Sequence, residues 1–165
     1  KNKKKRESER HDVRVLVGLN LVTLSQLEGL TVEMYREIVL PRILDEIINC
    51  KDTMAQTYLM DCIIQVFPDD FHFGTLQSFL DTCASLKEKV NVRTILESLM
   101  ERLGTHVSDG GDLPGEVDTF RLFNDCIAVL LCNSDVTNVA KLCEQVQKRW
   151  WCFVDVNICS CGVQG

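Results

Sequence analysis

Apolar residues recur along this chain at spacings of three and four, the period of a helix with one buried side, and no stretch alternates with the period of two that a strand requires. The pattern is densest between Asp52 and Pro68. There Ala55, Tyr58, Leu59, Cys62, Ile63 and Val66 follow the i, i+3, i+4, i+7 series, while Met54, Met60, Ile64 and Phe67 lie off that side. Only Thr53, Thr57, Asp61 and Gln65 are left as a polar stripe. A helix that is apolar nearly all round is an inner one, covered by neighbours on both flanks. Asp52 supplies an acceptor for its free N–H groups and Pro68 stops it, which predicts a core helix from about Thr53 to Phe67.

The remaining elements follow from the same periodicity. A first helix is expected from about Asp12 to Glu28, burying Val13, Leu16, Val17, Leu24 and Leu27. Gly18 in its interior points to close approach of a neighbouring helix, and Gly29 ends it. Thr31 caps a second helix with Tyr35, Ile38, Val39, Ile43, Leu44, Ile47 and Ile48 on its apolar side; Pro41 inside that run predicts a kink. Beyond the core helix, Pro68, Asp69 and Asp70 form a turn into a helix over 71–86 that buries Phe73, Leu76, Phe79, Leu80 and Cys83. Asn91 caps a fifth helix with Val92, Ile95, Leu96, Leu99, Met100 and Leu103 inside, and Gly104 is its expected stop. His106 to Gly115 reads as a long loop. Phe120, Phe123, Ile127, Leu130 and Leu131 mark a sixth helix, and Val139, Leu142, Cys143, Val146 and Trp150 a weaker seventh.

Consecutive helices joined by short turns predict an all-α fold: a HEAT-like or armadillo-like α-solenoid of antiparallel helix pairs at about 40 residues per repeat, with a helical bundle as the competing arrangement. The expected organisation is a basic opening over 1–11, a helical-repeat segment over 12–132, and an irregular cysteine-rich tail over 133–165. RWWCFVDVNICSCGVQG abandons helical periodicity abruptly, as a shifted reading frame or a retained intron would. The start at Lys1, without an initiator methionine, suggests an internal fragment.

Charge changes the picture at one end only. The first ten residues hold Lys1, Lys3, Lys4, Lys5, Arg6 and Arg10 against Glu7 and Glu9, a net +4; the whole chain stands at −6, so the rest carries −10. An acidic body with no aromatic residues interleaved among the basic ones excludes nucleic acid as the expected partner. No window approaches the roughly 18 apolar residues of a membrane span, and the charged opening is unlike a secretory signal. Nine cysteines, an odd number without a pairing pattern, are expected to be reduced in a cytoplasmic protein.

Candidate chemistry is sparse. Asp69, Asp70 and His72 can be written as a metal or acid/base cluster, but carboxylates before a first helical turn are explained by the free N–H groups and the helix dipole. His11 and His106 have no cysteine or carboxylate at ligand spacing. Cys50, Cys62, Cys83, Cys126 and Cys143 fall on or beside apolar stripes, where a thiol behaves as a small hydrophobe. Cys143, Cys152, Cys159 and Cys161 offer four thiolates to zinc without the paired C-x2-C spacing of structural sites; a small zinc-dependent binding module built on them is the alternative function. No catalytic, cofactor or metal residue is assigned, and the chain is expected not to be an enzyme.

From about Glu7 to Leu103, most sharply in NLVTLSQLEG, YREIVLPRILDEIINCKD and AQTYLMDCIIQVFPDDFH, the sequence resembles the retromer large-subunit family, vacuolar protein sorting-associated protein 35. VDTFRLFNDCIAVLL continues the likeness weakly, and after Leu131 it fades. The resemblance implies a long α-solenoid acting as the scaffold of a coat that returns membrane proteins from endosomes to the Golgi. It further implies partners reached through the full-length family member: an arrestin-like and a metallophosphoesterase-like retromer subunit, a Rab GTPase and sorting nexins. The implied location is cytoplasmic, peripheral on endosome or prevacuolar membranes, with the membrane met only through the coat. The Pro-Arg-Leu-Tyr-Leu motif by which the family meets the arrestin-like subunit is absent. Pro41, Arg42, Ile43 and Leu44 imitate it but align with a later segment, so no binding residue is carried over.

Overall fold

The computed structural model describes residues 2–111 and 118–133. The seventh helix expected between Val139 and Trp150, and the tail with Cys143, Cys152, Cys159 and Cys161, lie outside the described residues.

Helix α1 (Asn2–Ser25) begins well before Asp12 and ends before Glu28. Its opening turns are charged residues of good helix propensity, which extend a helix without adding apolar periodicity. The expected buried side is not the one used. Val13, Leu16 and Leu27 are 59%, 58% and 54% exposed, whereas Gly18 and Leu21 are buried and Arg14, Val17 and Leu24 half-buried. Gly18 accounts for the choice: a Cβ built there would stand 2.5 Å from Tyr58 Oη, so the bare backbone lets α1 come down onto the core helix. Gly29 reverses the chain at φ +86°, as expected.

Helix α2 runs over 32–49, from Val32–Met34 through a π-helical turn at Tyr35–Val39 into Leu40–Asn49. Thr31 Oγ1 accepts from the Met34 N–H and caps it. Pro41 does not break the helix. The widened turn, in which the Leu40 N–H reaches back to the Tyr35 carbonyl, lies directly upstream, where the proline ring would crowd the carbonyl of Glu37. Tyr35, Leu44 and Ile47 are buried as expected, but Ile38 is 51% exposed because the extra residue in the turn rotates it outward.

Helix α3 (Thr53–Val66) is the core helix. Asp52 Oδ1 caps it through the Met54 N–H at 3.0 Å, and Phe67 closes it ahead of Pro68. Helices α4 (Asp69–Ser85), α5 (Val92–Ser108) and α6 (Thr119–Asn133) complete the described chain. The apolar series expected for α4 and α5 is buried throughout, apart from the half-buried Val92. Helix α5 passes through Gly104 instead of stopping there. It ends in a Schellman turn in which Gly111 N–H bonds to the His106 carbonyl and Gly110 N–H to that of Val107, with Gly110 at φ +88°. His106 to Ser108 are therefore helical, and the loop begins later than its composition suggests.

The helices alternate between two layers. Helices α1, α3 and α5 pack side by side in one, α2, α4 and α6 in the other, and α2 with α3 and α4 with α5 join the layers. This ladder of antiparallel pairs is the α-solenoid; in a bundle the first and last helices would close on each other. Helix α3 has α1 on one flank, α5 on the other and α2 behind, so it is the inner helix that its pattern predicts. Its centre line is shifted, however. Met60, Ile63, Ile64 and Phe67 are fully buried, while Ala55, Tyr58, Leu59, Cys62 and Val66 are half-buried along the flanks.

Gln56, in the middle of that buried line, is wholly enclosed. Its Nε2 donates to the carbonyls of Ile47 at 2.8 Å and Ile48 at 3.3 Å, and its Oε1 accepts from the Lys87 N–H at 3.4 Å. One side chain thus ties the last turn of α2, where the Ile47 carbonyl also accepts from the Cys50 N–H, to the turn between α4 and α5. Lys87 Nζ adds a bond to the Cys50 carbonyl at 2.8 Å.

Candidate functional site

The residues read as a candidate acid/base cluster occupy the junction of α3, α4 and α5. Asp69 and Asp70 form the first turn of α4, where their charge meets the positive end of the helix dipole. His72 turns inward and is 3% exposed. Its Nε2 lies 3.1 Å from the Ile64 carbonyl, so Nε2 carries the proton and donates. Arg102 of α5 donates from Nε to Asp69 Oδ1 at 2.5 Å and from Nη1 to the same Ile64 carbonyl. Ile64 belongs to the last turn of α3, whose carbonyls have no partner within the helix. His72 and Arg102 supply that partner from two other helices.

His106, whose nearest carboxylate in sequence is Asp109, is brought by the fold to two distant ones. Its Nδ1 lies 3.5 Å from Asp69 Oδ2 and its Nε2 3.9 Å from Asp70 Oδ1, and its ring tilts against Phe73 at 5.7 Å between centroids. Gly111 lies over the ring; a Cβ there would fall 2.2 Å from Nε2. Beside this junction opens a cleft of about 420 Å³ lined by Gln65, Asp69, Glu101, Arg102, Thr105 and His106, among others. Its walls are polar groups, and those of Asp69 and Arg102 are already committed to each other. What this arrangement does chemically is hold three helix ends together.

Burial, with the nearby Arg102 guanidinium, pushes the His72 pKa down to about 4, against the hydrogen bond to Ile64 that acts in the opposite direction. The folded value lies below the unfolded one of about 6.5, so the unfolded chain binds the extra proton between them. Stability is fully present above pH about 6.5 and is lost as the pH falls toward 4, by about 3 kcal/mol in total. Urea midpoints measured across that window should fall in the parent chain and stay flat in His72→Gln, which keeps a donor but does not titrate. Equal slopes in the two proteins would place the titrating group elsewhere.

The described cysteines Cys50, Cys62, Cys83 and Cys126 are free. Burial raises the Cys62 and Cys83 thiols and lifts that of Cys126 to about 12, so these three resist forming the thiolate on which reactivity depends. Among the described residues no three His, Cys, Asp or Glu side chains are placed to hold a metal ion, and no helix is long and apolar enough to cross a membrane.

A family model described as vacuolar protein sorting-associated protein 35 matches residues 1–150. The chain belongs to the vacuolar protein sorting-associated protein 35 family. Vacuolar protein sorting-associated protein 35C of Arabidopsis thaliana is 51% identical over 130 residues, 77% of this chain and 16% of that protein. The Dictyostelium discoideum member is 48% identical over 124 residues, 74% of this chain and 16% of its own length. That of Schizosaccharomyces pombe is 45% identical over 103 residues, 62% and 12% of the respective lengths. The chain thus spans about a sixth of the first two relatives. The family match also extends past Leu131, where the likeness read from the sequence faded, and takes in the segment proposed as a seventh helix.

Proposed function

We propose that this chain is a non-enzymatic scaffold segment of the retromer coat, acting in endosomal protein transport and in retrograde sorting from endosome to Golgi. The observation that carries the reading is the two-layer helical ladder within a chain of the vacuolar protein sorting-associated protein 35 family. A solenoid works by presenting extended surfaces at fixed spacing, and its mechanism is geometric. The arrestin-like and metallophosphoesterase-like subunits, a Rab GTPase and sorting nexins would be met through the whole family member on the cytoplasmic side of endosome or prevacuolar membranes.

A graft tests the proposal. Residues 2–133 are exchanged for the matching segment of the full-length Arabidopsis relative, and the purified chimera is offered the arrestin-like and metallophosphoesterase-like subunits. The chimera should co-purify with both, and the 165-residue chain with neither. A helical, soluble chimera that captures neither subunit would overturn the scaffold reading. Specific, salt-resistant capture of either subunit by the short chain would assign it a binding surface of its own.

A further inference from the structure

Cys83 of α4 and Cys126 of α6 meet where these two helices pack, 1% and 6% exposed. Cys126 Sγ donates across the contact to the Leu80 carbonyl at 3.5 Å. Cys83 follows Leu80 by three residues, and a helical side chain at that spacing lies beside the carbonyl of the earlier residue. The two sulfurs therefore border one oxygen, close enough for a charge on Cys126 to act on the Cys83 thiol. Helix axes packed about 8–10 Å apart, with Cα atoms about 2.3 Å from each axis, bring facing Cα atoms to about 4–6 Å, within the span of a disulfide. A single buried thiol is a small hydrophobe. Two that face each other between helices are a latent cross-link.

We propose that Cys83 and Cys126 form a disulfide under a diffusible two-electron oxidant such as hydrogen peroxide, bracing α6 against α4. Helix α4 belongs to one helix pair and α6 to the next, so the bond fixes the step between successive pairs, on which the curvature of a solenoid depends. In the closed contact, burial raises both thiols and suppresses the thiolate, so neither reacts. Opening of α6 away from α4 removes that protection. One thiolate attacks a peroxide oxygen, the O–O bond breaks, and the departing hydroxide takes up the thiol's proton as water, leaving a sulfenic acid. On reclosure the second thiol attacks the sulfenic sulfur. The S–S bond forms, the S–O bond breaks, and a second water departs. The two thiols lose two electrons and two protons in all, and the peroxide becomes two waters. Of the other described thiols, Cys62 lies on α3 in the opposite layer and Cys50 in the turn before it, so neither competes.

The test uses the full 165-residue chain, reduced, freed of reductant and treated with hydrogen peroxide under native conditions. Remaining thiols are alkylated in urea, and a non-reducing peptide map is read by tandem mass spectrometry. The expected product joins Cys83 to Cys126, is lighter than the two reduced peptides by two hydrogens, and is reversed by dithiothreitol. At the urea midpoint of the reduced chain, the folded-to-unfolded ratio of the oxidised chain should be about a hundredfold higher. Cys83→Ala should lose both the link and that gain, and Cys50→Ala should keep both. If Cys83→Ala does not fold, the map of the parent chain decides alone. Peroxide-treated chain in which both cysteines are still alkylated would overturn the proposal. So would Cys126 joined to any other cysteine, sulfinic acid without a link, or a link that forms only from urea-unfolded chain.

Discussion

Ile63→Asp should leave the chain unfolded at neutral pH. Ile63 has no solvent exposure and sits on the line of α3 enclosed by α1, α2 and α5. None of its neighbours along that line, Met60, Ile64 and Phe67, offers a carboxylate a charged or donating group. An ionised carboxylate buried without a partner costs several kcal/mol, and protonation relieves only part of that by converting it to an unsatisfied polar group. Against a total stability of about 5–15 kcal/mol for a domain, a loss of that size removes most or all of the folded population. Far-ultraviolet circular dichroism should show the helical signal collapsing. Asp61→Ser, two residues away on the exposed stripe, should stay within about 0.5 kcal/mol of the parent in urea unfolding. If the two variants unfold alike, α3 is not an enclosed helix.

The second large effect is expected from Gln56→Leu, a change that sequence patterning alone would rate as an improvement. Leucine nearly matches the volume of glutamine and is apolar, but it leaves the Ile47 and Ile48 carbonyls and the Lys87 N–H without the side-chain atoms that now pair with them. Each buried polar group left unsatisfied costs about 1–3 kcal/mol. The Ile47 carbonyl keeps the Cys50 N–H at 3.1 Å, and the Ile48 and Lys87 bonds are long and only partly buried, so the expected destabilisation is about 1–3 kcal/mol rather than the full sum. Urea unfolding reads it directly. Because the lost bonds tie α2 to the turn between α4 and α5, amide exchange should also quicken at the end of α2. A variant as stable as the parent would mean that water replaces all three bonds at no cost.

The existence of the described helices and the capped starts of three of them were legible in the residue order because their causes are local. Thr31, Asp52 and Asn91 cap the helices they precede, each through an N–H two or three residues on, and such a bond needs no distant partner. Gly29 takes its positive φ where the chain must turn. The apolar series of α4 and α5 points one way only, so their buried faces were readable too. The all-helical class and the family likeness rest on the same linear information. The sequence also marked Gly18 as a point of close approach, although it did not say to what.

Tertiary structure decided everything that depends on which helix comes to lie beside which. Helix α1 has apolar residues on two sides, and α3 on nearly all, so periodicity cannot choose a direction; contact between Gly18 and Tyr58 does, leaving Leu16 and Leu19 outside. Asp69 and Arg102 are 33 residues apart, and His106 is more distant still. Their junction exists because the repeat stacks α5 against α3, bringing the start of α4 and the open carbonyl of Ile64 within reach. Gln56 is the sharpest case. A polar residue in an apolar line looks like a flaw until the fold supplies three backbone groups for it to satisfy, and no local pattern records where unpaired backbone from other helices will lie.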